Sequence, residues 1–362
     1  MRLISIIGTR PQFVKASAFS RIVEEKTGIE EILVHTGQHY DRELSDLFFD
    51  ELGIKQPKYN LAVGSASHAV QTAEMMVKLE GIVEEERPQA MMVYGDTNST
   101  LAAALVAAKS HIPLAHVESG LRSLNKLMPE EINRIVTDRL SDILFCPTEA
   151  AINNLINEGV NEEKIHFVGD IMYDACINYT EIARKKSTII EDLDLVKKSF
   201  ILATIHRAEN TDDEKVLEAI VDALEAIAEK IRVILPLHPR TKSRVGNWKD
   251  SKIEFITPIG YLDMLEMERN AKIIITDSGG VQKEAFFHGV PCITIRSETE
   301  WVELIEYGWN QLIDPTETNS LKERLLMAES NSSPGEEVSL YGKGTTSELI
   351  WEILIKWADN FD

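Results

Sequence analysis

A chain of 362 residues, 44% hydrophobic and 27% charged, is too long for one small core and has globular composition, so two domains of ordinary size are expected. The net charge of −21 excludes general nucleic-acid binding, which needs a basic surface, yet leaves room for a locally basic pocket that takes a small anion. No run is long and apolar enough for a signal h-region or a membrane span, so the expectation is a cytoplasmic protein with no membrane partner.

In chain order, short β-rich runs at Leu3–Ile7, Ile32–Thr36, Met91–Tyr94, Pro113–Val117 and Ile143–Cys146 alternate with stretches of helical periodicity such as Ala69–Glu85 and Ser99–Lys109. The runs are apolar on both faces, as parallel strands covered by helices are. The charged stretch Asn178–Ser199 lacks a strand and marks a domain junction. The pattern then restarts with Phe200–Ile205, Val233–Leu237, Ile253–Thr257, Lys272–Thr276 and Pro291–Ile295, with helices such as Glu214–Lys230 and Ser320–Ala328. The last segment, Thr346–Trp357, shows one apolar helical face of Leu349, Ile350, Ile353, Leu354 and Trp357. It either closes the second domain or crosses back to the first. The fold class is therefore α/β, two doubly wound domains facing across a cleft, with ligands at the carboxyl ends of the strands.

Those strand ends carry the unusual residues. Gly8-Thr9-Arg10-Pro11 opens a helix that contains Lys15, and free N–H groups at a helix start suit an anion. The bland alternative is an ordinary turn with solvated charges. Asp277-Ser278-Gly279-Gly280 repeats the logic in the second domain as a cradle for a diphosphate, with Glu284 one turn on as a partner for a ribose diol. Gln38-His39, His206-Arg207 and His238-Pro239-Arg240 end further strands. A histidine at such a place can neutralise or protonate a departing phosphate.

The acidic set is more telling. Asp96 ends one strand, Glu118 the next, and Glu130-Glu131 begin the following helix with Arg134 one turn on. Carboxylates on one wall of a cleft repel one another and can hold one protonated, which suits a site needing both an acid and a base. For Glu131, and less so for Glu130, complementing the helix dipole is the plainer role. There is no Gly-x-Gly-x-x-Gly fingerprint for NAD at the first turn, and no metalloprotease, serine-hydrolase or P-loop motif. The three cysteines have no partners at metal-ligand spacing, and Cys146 and Cys292 read as small core residues.

Taken together, G-T-R-P-Q-F-V-K (8–15), T-G-Q-H (36–39), Y-G-D-T-N-S-T (94–100), H-V-E-S-G-L-R (116–122), M-P-E-E-I-N-R (128–134), H-R-A-E-N (206–210), L-H-P-R (237–240), T-D-S-G-G-V-Q-K-E (276–284) and Y-G-K-G (341–344) resemble the non-hydrolysing UDP-N-acetylglucosamine 2-epimerase family over essentially the whole chain. The resemblance implies a GT-B fold. Residues 1–177, completed by a returning helix at 346–362, would carry the sugar site and catalytic carboxylates, and residues 178–345 would bind UDP. It further implies a homodimer, a UDP-sugar substrate, and no NAD or catalytic metal. The reaction implied is loss of UDP and the carbon-2 proton to give a 2-acetamidoglucal, then re-addition with the proton on the opposite face. Position by position, Asp96, Glu118, Glu130 and His206 match the family's catalytic residues. Arg10, Lys15, His238, Ser278, Gly279, Gly280, Glu284 and Arg296 match its UDP-sugar contacts, with Arg134 a further contact and Gln38, His39 and Arg207 beside them.

Two departures bear on the sugar. Where many members read T-E-R-P-E, this chain has Thr299-Glu300-Trp301-Val302-Glu303, and the loop Arg122–Pro129 is short for the family. Both resemble the branch that acts on UDP-2,3-diacetamido-2,3-dideoxyglucuronate, whose sugar carries a carboxylate. Lys126 is either the cation for that carboxylate or a solvated loop lysine. A GT-B glycosyltransferase has no use for three clustered carboxylates, and a non-catalytic nucleotide-sugar sensor has no need of His206 or Asp96.

Overall fold

The computed structural model describes residues 1–38, 53, 55–237, 241, 251–336 and 338–358. The chain forms two compact units, Met1–Asn178 with Ser339–Asp362, and Tyr179–Val338. Apolar runs too short for helices become parallel strands in both.

In the first unit the strands are β1 (Arg2–Ile7), β2 (Glu30–His35), β3 (Tyr59–Asn60), β4 (Ala90–Tyr94), β5 (Leu114–Val117), β6 (Ile143–Cys146) and β7 (Ile165–Phe167). They form one parallel sheet in the order β3-β2-β1-β4-β5-β6-β7. Ile4 of β1 lies opposite Ile32 on one side and Met91 on the other. The order reverses at β1 and β4, so their carboxyl-end turns flank the switch point where open sheets bind ligands. Met75, Leu79, Ala103 and Val106, from the helices His68–Glu86 and Asn98–Lys109, cover one face beside Ile4, Ile6, Met91 and Val93.

The second unit repeats the plan. Its strands are β8 (Phe200–Thr204), β9 (Arg232–Pro236), β10 (Glu254–Ile256), β11 (Ile273–Thr276), β12 (Cys292–Ile295) and β13 (Asn310–Ile313), ordered β10-β9-β8-β11-β12-β13. Successive residues serve opposite faces. Ile201, Ala203, Ile273 and Ile275 pack with the helix Glu214–Ala228, while Phe200, Leu202 and Ile274 pack with Met267, Ala285 and Val290. The reversal falls between β8 and β11, whose turns carry His206-Arg207 and Asp277–Gly280.

The final helix, Thr346–Ala358, belongs to the first unit and packs on the helix Arg10–Glu25. Asp174 caps its start by accepting the Thr346 N–H at 3.1 Å and the Ser347 N–H at 2.7 Å. Its buried face is narrower than the apolar pattern predicts. Ile350 and Leu354 are buried, whereas Leu349 is exposed. All three cysteines are free and buried, and burial pushes the Cys146 and Cys292 thiols up to about 12, so neither is a reactive thiolate.

Candidate functional site

In the first unit the helix Arg10–Glu25 begins directly after β1. Gln12 reaches back to fasten this start: its Oε1 accepts the Gly8 N–H at 2.8 Å and the Thr9 N–H at 3.2 Å, and its Nε2 donates to the Tyr94 carbonyl at 2.7 Å. Gly8 is required for packing. A Cβ there would lie 2.1 Å from Ser99 Oγ and 2.3 Å from Thr36 Oγ1. Gly8→Ala should therefore lower stability by about 1–3 kcal/mol, read as a drop in Tm, because both crowding atoms sit on buried backbone elements that cannot yield.

The acidic residues Asp96 and Glu118 follow adjacent strands, and Glu130 lies in the first turn of the next helix. Each of two has its own cation. Glu118 forms a buried ion pair with Lys15, and Asp96 pairs with Arg134, with Arg134 Nη2 2.7 Å and Nε 2.9 Å from Asp96 Oδ2. Glu118 holds a left-handed backbone with φ +70°, a strained state for a residue with a side chain, and one that clusters at functional sites. The Glu118 and Ser119 N–H groups both donate to the Phe145 carbonyl at 3.1 Å, which keeps the turn in place.

Arg134 also meets Glu131 at 3.0 Å. Glu131 lies in the first turn of its helix, where a carboxylate complements the dipole, and it has a second task. It is buried and accepts from the Ser123 N–H at 2.9 Å, Ser123 Oγ at 3.1 Å and the Leu124 N–H at 3.1 Å, fastening the loop before its helix. Burial pushes its carboxyl up, but the Ser123 donors and Arg134 outweigh burial and the net direction is down. Asn133 donates to the Asp96 carbonyl at 2.8 Å. Gln38 Oε1 accepts the Ser99 N–H and Oγ at 3.1 and 2.7 Å, beside the same turn. Arg10 and Glu130 each stand exposed in the first turn of their helices, and Lys126 is exposed in its loop. His39 and His238, with Pro239 and Arg240, lie outside the described residues.

In the second unit a residue absent from the sequence-based site list organises the turn. Asp277 is completely buried and accepts the His206 N–H at 3.0 Å, the Arg207 N–H at 2.9 Å and Asn210 Nδ2 at 3.0 Å. Its Oδ1 also lies 3.3 Å from His206 Nδ1, which orients the ring. A carboxylate behind a strand-end histidine is the arrangement of a general acid.

Ser278 caps the helix Gly279–Phe287, so the first-turn N–H groups of the two glycines head a helix start of the kind that binds phosphate. A Cβ at Gly279 would meet Glu300 Oε1 at 2.7 Å. Glu300 accepts from Arg296 Nη1 at 2.8 Å; burial raises its carboxyl, Arg296 outweighs burial, and the net direction is down. Glu284 accepts the Tyr261 hydroxyl at 2.8 Å. The departing residue Trp301 is buried, donates from Nε1 to the Gly279 carbonyl at 3.1 Å, and lies under Lys283 Nζ at 4.1 Å. The 299–301 segment is thereby fixed to the cradle helix.

Among the described residues no group of three or more His, Cys, Asp or Glu side chains is placed to hold a metal, and no helix is long and apolar enough to cross a membrane. Two Rossmann-like parallel units, with anion-binding helix starts and paired acid–base groups at the strand ends, define an α/β nucleotide-sugar enzyme of GT-B type.

The sequence profile of the UDP-N-acetylglucosamine 2-epimerase family matches residues 21–355, and the chain belongs to that family, an isomerase family. It is 49% identical to a UDP-N-acetylglucosamine 2-epimerase homolog of Methanococcus maripaludis, over 98% of this chain and 99% of the relative. It is 45% identical to the UDP-2,3-diacetamido-2,3-dideoxy-D-glucuronate 2-epimerase of Pseudomonas aeruginosa, over 98% of this chain and 100% of the relative. The crystal structure of Methanocaldococcus jannaschii UDP-GlcNAc 2-epimerase with UDP-GlcNAc and UDP is similar at TM-score 0.90 and 41% identity, covering 98% of this chain and 100% of that one.

Proposed function

We propose that this chain interconverts UDP-N-acetylglucosamine and UDP-N-acetylmannosamine by eliminating and re-adding UDP. The observation that carries this reading is that Asp96 and Glu118 stand at the ends of adjacent strands, each held beside its own cation. A carboxylate takes the carbon-2 proton while the C1–O bond breaks and its electron pair leaves with UDP. His206, backed by Asp277, protonates or neutralises the departing phosphate. The 2-acetamidoglucal then regains UDP at C1 and a proton on the opposite face of C2, from a second carboxylate; Glu130 completes the acid–base set. Elimination and re-addition leave no net electrons to carry, so no nicotinamide is required. Ser278, Gly279, Gly280 and Arg296 bind the diphosphate and Glu284 the ribose, with Arg10, Lys15, Gln38, His39, Arg134, Arg207 and His238 as further contacts. The reading includes a cytoplasmic homodimer.

A second reading keeps the chemistry and changes the sugar to UDP-2,3-diacetamido-2,3-dideoxyglucuronate. Two observations favour it: Trp301 fixed against the cradle helix, and 45% identity to an enzyme named for that substrate. One experiment tests both. Each UDP-sugar is offered in heavy water and deuterium at carbon 2 is followed by mass spectrometry. The first reading expects exchange with UDP-N-acetylglucosamine at a kcat/KM at least equal to that for the uronate. Exchange with the uronate alone, lost on Lys126→Ala, establishes the second, and exchange with neither rejects 2-epimerisation.

A further inference from the structure

His116, the third residue of β5, is completely buried. Its Nδ1 lies 2.7 Å from Asp138 Oδ1 and its Nε2 lies 2.7 Å from the Gly95 carbonyl oxygen. A carbonyl oxygen accepts and cannot donate, and an ionised carboxylate is likewise an acceptor only. Asp138 is ionised. Its Oδ2 already accepts the Gly120 N–H at 3.1 Å and Arg122 Nη1 at 2.8 Å, and although burial raises the carboxyl, His116 and Arg122 outweigh it and drive it down. A neutral imidazole has one N–H and one lone pair. Either tautomer would aim that lone pair at an oxygen 2.7 Å away inside a dry core, a repulsive contact that two N–H donors remove.

We propose that His116 is held as an imidazolium and is a positioning residue that ties the turn carrying Asp96 to the turn carrying Glu118. The proposal rests on the role of those two carboxylates given above. On one side the ring grips Gly95, whose φ of +61° sets the plane of the Gly95–Asp96 peptide. Gly95 is also packed on the neighbouring ion pair: a Cβ there would lie 3.2 Å from Glu118 Oε2 and 3.4 Å from Lys15 Nζ. On the other side the ring stands two residues before Glu118, and Asp138 holds Gly120 two residues after it. The strained Glu118 backbone is thus bracketed by one hydrogen-bonded dyad, as a strained functional residue must be to persist. Arg122 adds a second cation to Asp138 and is itself held by Glu158, with Arg122 Nε 2.7 Å from Glu158 Oε1.

The test reads the ring directly. In the full chain labelled with 15N-histidine, the His116 resonances, assigned by their loss in His116→Gln or by their shift in Asp138→Glu, should show protons on both ring nitrogens at neutral pH. A ring with one bare nitrogen overturns the proposal. Turnover supplies a second readout. His116→Gln keeps one donor and loses the charge, so kcat should fall about 30- to 100-fold while KM changes by less than about threefold, the split expected when reacting groups are misplaced by a fraction of an ångström. A folded His116→Gln chain with unchanged kcat also overturns it. The ring measurement needs no substrate, so it stands or falls separately from the choice of reaction, and it needs only one of the two assignment variants to fold.

Discussion

Asp96→Asn and Glu118→Gln each lower turnover of the UDP-sugar by about 100-fold or more, the cost of removing a positioned acid or base. UDP binding is expected to change far less, because the helix start at Ser278–Gly280, proposed above to hold the diphosphate, is built in the other unit. The two variants part company in stability. The Lys15–Glu118 side chains are 10% and 9% exposed, and Glu118→Gln leaves a buried ammonium without its counter-charge, a loss of roughly 3–5 kcal/mol. Asp96→Asn costs less, because Glu131 still meets the Arg134 guanidinium at 3.0 Å when the carboxylate goes. Initial rates, UDP calorimetry and thermal melts on the two proteins separate the effects. Near-normal turnover in both would mean that the carboxylates only hold the turns together.

Removing the carboxylate under the second unit's turn loosens several hydrogen bonds at once. Asp277→Ala removes the acceptor to which the His206 and Arg207 N–H groups and Asn210 Nδ2 all donate. Asn210 keeps one partner, the Ile295 carbonyl at 3.1 Å. His206 and Arg207 are half-buried, so water meets part of the loss, and the second unit is destabilised by about 1–3 kcal/mol. The same variant releases the His206 ring, so kcat falls as well as Cm. Urea denaturation and initial rates check both, and a loss below about 1 kcal/mol would show that water replaces the carboxylate at no cost.

Much of the fold was legible because parallel strands buried on both faces must be apolar throughout. The runs at β1, β4, β6, β8 and β11 therefore announce themselves, and their boundaries in the structure differ from the sequence reading by a residue or so. The edge strands do not. Tyr59–Asn60, Ile165–Phe167 and Asn310–Ile313 are short and mixed in polarity, and each is paired on one side only, so no apolar run marks them. Their existence depends on a neighbour strand that is remote in sequence.

The site divides along the same line. The sequence by itself determined the family, the strand-end placement of Asp96, Glu118, His206 and Ser278–Gly280, and the departure at Trp301, since each is a local matter of residue type and spacing. Only the tertiary structure decided what each group faces. It gave Glu118 to Lys15, 103 positions away, and Asp96 to Arg134, 38 away. It made Glu131 a loop anchor, packed Gly8 against Ser99 and Thr36, and placed Asp277 and Asp138 beneath the strand-end turns. Ion pairs and buried hydrogen bonds form between residues that chain topology brings together, and a carboxylate's role follows from its partners, which no local pattern contains.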